Sequence, residues 1–271
     1  MVDWYLGTIG FTYPEWKGSF YPSGLPASQA LSYYSRVFNA VEINTTFYGP
    51  QPPAQLQRWV ASTPEDFRFC MKTPRRITHD LRLQAPAGQE MRAFVDASLA
   101  LGAKLGAFLV QLPPSFTASD FEPLTAFLQA LPAGTAYAGA RYAVEFRHPS
   151  WHTPEVADRL QAALQKHGVG WVATDYEDLP AQIHPTGDFL YIRWIGKHGV
   201  IPHPGREVID RGPRLQDWLA LLRAHLESVA AIFGFFDNDY AGHAPATCNR
   251  FKELVGLPVA SSQAGEQGRL F

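Results

Sequence analysis

Eight short apolar runs recur along the chain, and nearly every one ends on a polar or charged residue at its C-terminal side. They are Leu6 to Gly10, Ala40 to Thr46, Arg68 to Lys72, Leu105 to Leu112, Tyr142 to Arg147, Gly170 to Asp175, Phe189 to Gly196 and Ala230 to Asn238. Helical periodicity fills most of the gaps. Ser28 to Phe38 sets Leu31, Tyr34 and Phe38 about one turn apart. Pro53 to Ala61, Gly88 to Ala103, Ser119 to Leu131, Pro154 to His167, Pro213 to Val229 and Ala244 to Val255 follow. Ser119 and Glu122 have the spacing of a capping box, and Pro132-Ala133-Gly134 stops that helix. Strands alternating with helices predict a parallel sheet, and eight such units close into a (β/α)8 TIM-type barrel of the α/β class. Tyr176 to Asp188 holds Pro180 and Pro185 and has no helical period, so the barrel is expected to be irregular between strands six and seven.

Strand alternation says which polar groups point inward. Glu42 and Asn44 share a face, as do Glu145 and Arg147, and Tyr191 and Arg193. Lys72, Gln111, Asp175 and Asn238 or Asp239 stand at the ends of other strands. Together they predict a ring of mixed charge on the C-terminal face, where this fold concentrates chemistry. Its carboxylates suit general acid or base work, and Lys72, Arg147 and Arg193 suit an anion such as phosphate or carboxylate. A buried ion-pair layer with a purely structural role is the competing reading.

Composition narrows this little. A length of 271 residues suits one barrel domain over residues 1–258, with a flexible tail over 259–271. The net charge of -2 gives no global basic field for nucleic acid, which leaves only local patches. The two cysteines form no CxxC pair, and Cys70 reads as a small core residue. The apolar stretches are too short to span a bilayer, and Met1 leads into the first strand with no leader pattern, so a soluble cytoplasmic protein without a membrane partner is expected.

Six ordered motifs carry a resemblance. GTIGFTYPEWKGSFYP (7 to 22), VEINTTFY (41 to 48), FCMKTPRRITH (69 to 79), QLPPSF (111 to 116), VEFRHPSW (144 to 151) and FFDNDYAGHAPATCN (235 to 249) resemble the YecE-like family, domain of unknown function number 72. The resemblance implies a TIM-type barrel and no established reaction. Glu42, Asn44, Tyr48, Lys72, His79, Gln111, Glu145, Arg147 and Asp239 fit the family pattern. Phe11, Ile195 and Asp237 depart from it, where Trp, His and Asn are usual. The missing His at 195 weakens a mechanism that needs a base on the seventh strand.

Other signals divide. No HExxH is present, and the segment from Asp237 fails as a calcium loop because Ala241 stands where an oxygen ligand is needed. A divalent ion held by Glu42, His79, Glu145, His148 and Asp175 is the candidate cofactor, against competition from the neighbouring cations for the same carboxylates. Gly196 to Gly212, with Lys197, His198, His203, Arg206 and Arg211, reads either as an anion clamp or as a solvated loop. Tyr13, Trp16, Phe20 and Tyr21 either stack on a base or sugar or pack across the barrel mouth. The tail ends in Gln267-Gly268-Arg269-Leu270-Phe271, which resembles the peptide that docks bacterial repair proteins on the sliding clamp. There Leu270 and Phe271 would fill an apolar pocket and Gln267 its rim; folding back onto the barrel is the alternative.

The leading expectation is an enzyme acting on a phosphate-bearing substrate, DNA or nucleotide, by phosphodiester hydrolysis. Its catalytic set is Glu42, Lys72, Glu145, Arg147, Asp175, Arg193 and Asp239, with Glu145 or Glu42 as general acid or base. Its substrate-binding set is Tyr13, Trp16, Asn44, Tyr48, His79, Gln111, His148, Trp151 and Asn238. A small-molecule sugar-phosphate isomerase, lyase or hydrolase, and a non-catalytic nucleic-acid-binding module, are the alternatives.

Overall fold

A computed structural model describes residues 2–176, 179–201 and 205–260. Nine strands form one parallel sheet: β1 (Asp3–Ile9), β2 (Ala40–Ile43), β3 (Arg68–Lys72), β4 (Leu105–Gln111), β5 (Tyr142–Glu145), β6 (Gly170–Trp171), β7 (Ala173–Tyr176), β8 (Phe189–Gly196) and β9 (Ala231–Phe236). Their order is β6-β5-β4-β3-β2-β1-β9-β8-β7. Because β6 and β7 are successive pieces of one segment, the two ends of the sheet meet and the barrel closes. The expected sixth strand is therefore split. Gly170–Trp171 pairs with β5 and Ala173–Tyr176 with β8. Thr186 supplies the reason: its hydroxyl accepts the Trp171 N–H at 2.8 Å and donates to the Val169 carbonyl at 2.7 Å, occupying the edge that β8 would otherwise meet.

Helices α1 (Ala30–Tyr34), α2 (Pro53–Ala61), α3 (Ala87–Ser98), α4 (Phe121–Ala130), α5 (Pro154–Lys166), α6 (Gly212–Arg223), α7 (Asn238–Ala241) and α8 (Ala244–Leu254) surround the sheet. Among the described residues none joins β7 to β8, in keeping with the prolines there. The expected third helix breaks into a 3-10 segment, Leu99–Lys104, where Gly102 takes φ +56°. The capping box before α4 is Thr117 with Asp120 rather than Ser119 with Glu122. Ser119 lies inside a 3-10 turn, so Thr117 accepts its N–H while Asp120 accepts the Thr117 N–H at 2.8 Å. The short α7 has no counterpart in the periodicity.

Two apolar layers result from strand alternation. Inward side chains such as Ile9, Leu109, Val172, Phe233 and Phe235 fill the barrel, while Trp194, Phe236, Leu215 and Trp218 pack between sheet and helices. Cys70 and Cys248 are buried and unpaired. No helix among the described residues is long and apolar enough to cross a membrane.

Candidate functional site

Above the inner apolar layer the strands turn polar. Arg193, on β8, is 2 % exposed and lies between two fully buried carboxylates. Its Nε and Nη2 donate to Glu42 Oε2 and Oε1 at 2.9 and 2.8 Å, and its Nη1 donates to Glu145 Oε2. Tyr191 adds a hydrogen bond to Glu42 at 2.9 Å. Arg147 Nε then donates to Glu145 Oε1 at 2.9 Å. All four carboxylate oxygens are thereby occupied. Burial opposes ionisation of Glu145, but Arg147 and Arg193 outweigh it and hold its carboxyl at about 2. Burial likewise opposes the charge on Arg193, and Glu145 and Glu42 overcome it, so its pKa is raised.

Arg147 continues upward, its guanidinium 4.5 Å over the Tyr176 ring, and among the described residues its Nη atoms have no acceptor. Lys72, at the end of β3, is also mostly buried and has no carboxylate partner among the described residues; its Nζ lies 4.4 Å over the Phe47 ring. Burial and then Arg193 lower its pKa to about 8, against the opposing pull of Glu42 and Glu145. His79 packs T-shaped against Phe47, ring centroids 5.0 Å apart, and contacts Thr78 through Nδ1. Burial, Arg75 and Lys72 push its pKa down to about 4, so it is neutral at physiological pH. Tyr48 stands beside Phe47 and is 88 % exposed. Gln111 is buried on the same rim, donating to the Leu112 carbonyl at 2.8 Å.

Strand alternation stops at Ile43. Asn44 has helical backbone angles, φ -92° and ψ -17°, and begins a 3-10 turn instead of extending the face of Glu42. Its Oδ1 is buried with no partner among the described residues, which leaves an acceptor facing no donor.

A second group forms where β8 and β9 end. Gly196 has φ +74°, and a Cβ there would lie 2.5 Å from the Asp239 carbonyl oxygen. Only glycine lets the chain pass so close to α7. His198 follows, and its Nδ1 meets Asp239 Oδ2 at 2.7 Å. Asp237 caps α7 by accepting the Asp239 N–H at 3.0 Å. Burial, with Asp239 beside it, holds the Asp237 carboxyl above its usual range. Sequence reasoning missed both His198 as a partner of Asp239 and Asp237 as a mouth residue. The Gly196 that ends β8 and the cap-forming Asp237-Asn238-Asp239 were the available signals. Tyr13 also borders this side, its hydroxyl donating to the Ile9 carbonyl at 2.6 Å, with burial and Asp237 raising its pKa.

Several expected site residues are placed elsewhere. Asp175 pairs in register with Trp194 and so faces outward, away from the ring. It accepts from Arg214 at 2.9 and 3.0 Å, Trp218 at 2.8 Å and Tyr240 at 2.9 Å, fastening β7 to α6 and α7. Burial opposes its ionisation, and these hydrogen bonds, Arg214 first, bring its pKa below the usual value. Trp16 is fully buried and donates to Asn238 Oδ1 at 3.0 Å, which also accepts the Ala244 N–H at 3.0 Å. Both therefore bind the first loop to the last rather than facing a ligand. Trp151 is fully buried, stacked 5.9 Å from Phe116 and donating to its carbonyl at 2.8 Å. His148 spends Nδ1 as acceptor for the Ser150 N–H at 3.2 Å. Among the five candidate metal donors Glu42 and Glu145 come together, but Arg193 lies between them, and Asp175 faces outward. Among the described residues no three His, Cys, Asp or Glu side chains converge to hold an ion. Gln267, Leu270, Phe271 and His203 lie outside the described residues.

With this geometry in view, the family described as "Protein of unknown function DUF72" matches residues 5–268. The YecE protein of Escherichia coli strain K12 is 32% identical over 172 residues, 63% of this chain and 58% of YecE. The match thus spans less than two thirds of that relative's length. The YunF protein of Bacillus subtilis strain 168 is 25% identical over 276 residues, covering 93% of this chain and 95% of YunF. Among solved structures, a DUF72 family protein of Thermotoga maritima has 29% identity and a TM-score of 0.75, covering 94% of this chain and 99% of its own.

Proposed function

This chain belongs to the DUF72 family, and from that footing we propose that it is a barrel enzyme acting on a phosphate-bearing substrate at its C-terminal mouth. One observation carries the reading. Glu42 and Glu145 neutralise Arg193 and Glu145 also accepts from Arg147 Nε, yet the Nη atoms of Arg147 and the Nζ of Lys72 have no acceptor among the described residues. A lysine with no carboxylate partner among the described residues and a guanidinium with two nitrogens unspent, at the face where this fold does its chemistry, suit an incoming anion.

In this reading Arg147 takes the phosphate, with Lys72 on the same mouth to meet the rest of the substrate, and Arg193 with its two carboxylates holds Arg147 in place. Glu145, ionised down to about 2 and bonded at both oxygens, is unsuited to be the general acid or base. That work passes to His198, oriented through Nδ1 by Asp239. Phosphodiester hydrolysis of damaged DNA or of a nucleotide is the version to test first: His198 takes a proton from water as its oxygen bonds to phosphorus, the ester P–O bond breaks, and the leaving oxygen receives that proton back from His198. The exposed Tyr48 offers a face for stacking a base, and His79 and Gln111 line the same rim. A small sugar phosphate is the second reading, favoured by the unpartnered acceptor of Asn44, which suits a sugar hydroxyl.

The test pairs calorimetric titration with pyrophosphate against product analysis on abasic and intact oligonucleotides and on sugar phosphates. Pyrophosphate binding with turnover of one class supports the reading and selects between its versions. Oligonucleotide binding without any turnover would leave a binding module. No pyrophosphate binding sinks the phosphate assignment.

The same reading gives residues 259–271 the role of a tail that brings a cytoplasmic enzyme to DNA. Gln267, Leu270 and Phe271 would dock on the bacterial sliding clamp, on the strength of their spacing in the sequence.

A further inference from the structure

Lys72 differs from Arg147 and Arg193 because, among the described residues, no carboxylate pairs with it. Arg193 is clamped by two carboxylates and Arg147 by one, whereas among the described residues no carboxylate lies within 4.0 Å of the lysine. It points inward at the C-terminal end of β3, two residues beyond Cys70, which pairs in register with Glu42. The charged or titratable groups that act on it are Glu42 from β2, Glu145 and Arg147 from β5 and its end, and Arg193 from β8, with His79 packed against Phe47. A mostly buried amine beside two fixed guanidiniums gives up its proton readily, and its lowered pKa of about 8 agrees. An amine so placed is a nucleophile.

We propose that Lys72 attacks the carbonyl carbon of a phosphate-bearing aldehyde or ketone and forms an imine, while Arg147 holds the phosphate. This rests on the anion-binding reading of the mouth and names the substrate class. Neutral Nζ forms the C–N bond to give a carbinolamine. The C–O bond then breaks, and the former carbonyl oxygen leaves as water with the two protons that Nζ carried. No oxidant, reductant or further reactant is needed. Open-chain sugar phosphates share this chemistry with the deoxyribose aldehyde at an abasic position in DNA.

The test treats the full chain at pH 7.5 with pyridoxal 5′-phosphate or with pyridoxal, reduces with borohydride and maps the labelled peptides by mass spectrometry. Label is expected on Lys72 ahead of the exposed Lys17, Lys166 and Lys197. The phosphorylated probe should label at least about tenfold more than pyridoxal, and excess pyrophosphate should block it. Labelling should rise with pH around a midpoint near 8. Lys72→Arg should lose the adduct, and an adduct that survives it overturns the assignment. Pyrophosphate binding with no adduct on Lys72 overturns the imine and leaves the anion site standing. Equal labelling by both probes supports the imine and removes the phosphate reading. Borohydride trapping of glyceraldehyde 3-phosphate or of an abasic oligonucleotide then identifies the source, and trapping of neither overturns the substrate class.

Discussion

Arg193 grips Glu42 with two parallel hydrogen bonds, Nε and Nη2 to Oε2 and Oε1 at 2.9 and 2.8 Å, although 151 positions separate the two in the chain. This bidentate pair is fully buried and shares its arginine with Glu145, so each charge is stabilised only while the others remain.

Glu145→Gln should therefore lower stability by about 3 kcal/mol, because it leaves a buried guanidinium short of a charged partner. Urea unfolding at pH 7 checks this, and a change within experimental error would mean that Glu42 alone suffices. The wild-type protein adds a pH signature. The Glu145 carboxyl is held at about 2 against an ordinary 4.5, so its contribution is complete above pH 4.5 and is lost as pH falls toward 2. The loss should amount to roughly 3 kcal/mol, and the variant's stability should fall less steeply across that window.

Asp175→Asn tests the outward placement. Removing the charge that receives Arg214, Trp218 and Tyr240 should cost about 2 kcal/mol in unfolding free energy. Pyrophosphate affinity should not move. A matching loss of affinity would return Asp175 to the mouth.

Arg147→Met should weaken pyrophosphate binding at least about tenfold, or about 1.4 kcal/mol, by calorimetry. Arg193 still pairs with Glu145 in this variant, so the fold should persist by circular dichroism. Unchanged affinity in a folded variant would remove Arg147 from the site.

His198→Ala should cut turnover of whichever phosphate substrate is found by about a hundredfold or more, with KM little altered. Asp239→Asn should fall in the same direction, because it frees the imidazole to rotate. The ring is half exposed, at 50% of its side-chain area, so thermal stability should stay near that of the wild type. Full activity in His198→Ala would move the acid–base role elsewhere.

A chain ending at Glu266 should lose binding to the bacterial sliding clamp in fluorescence anisotropy if Gln267, Leu270 and Phe271 are the docking peptide. Equal binding by both lengths would assign the contact to the barrel, and binding by neither would take the clamp out of the proposal.

The barrel, the strand positions and the inward set Glu42, Lys72, Gln111, Glu145, Tyr191 and Arg193 were legible in the sequence, because alternation along a strand and apolar periodicity along a helix are local properties. Asp175 follows the same alternation, with Val172 and Thr174 facing inward and Asp175 outward, so a polar residue at a strand end was misleading where parity was not. Trp16, Trp151 and Asn238 read as ligand contacts because an aromatic or amide at a strand end looks alike whether it faces solvent or a neighbouring loop. Only packing distinguishes the two. The pairing of His198 with Asp239 waits on the turn at Gly196, the low pKa of Glu145 waits on arginines delivered by separate strands, and that of Lys72 on burial first and then on Arg193. Sequence thus determined most of the inward strand side chains that the barrel offers to its mouth. Tertiary structure decided which of them are already neutralised by one another, because Coulomb interactions depend on distances between strands that no single stretch of chain contains.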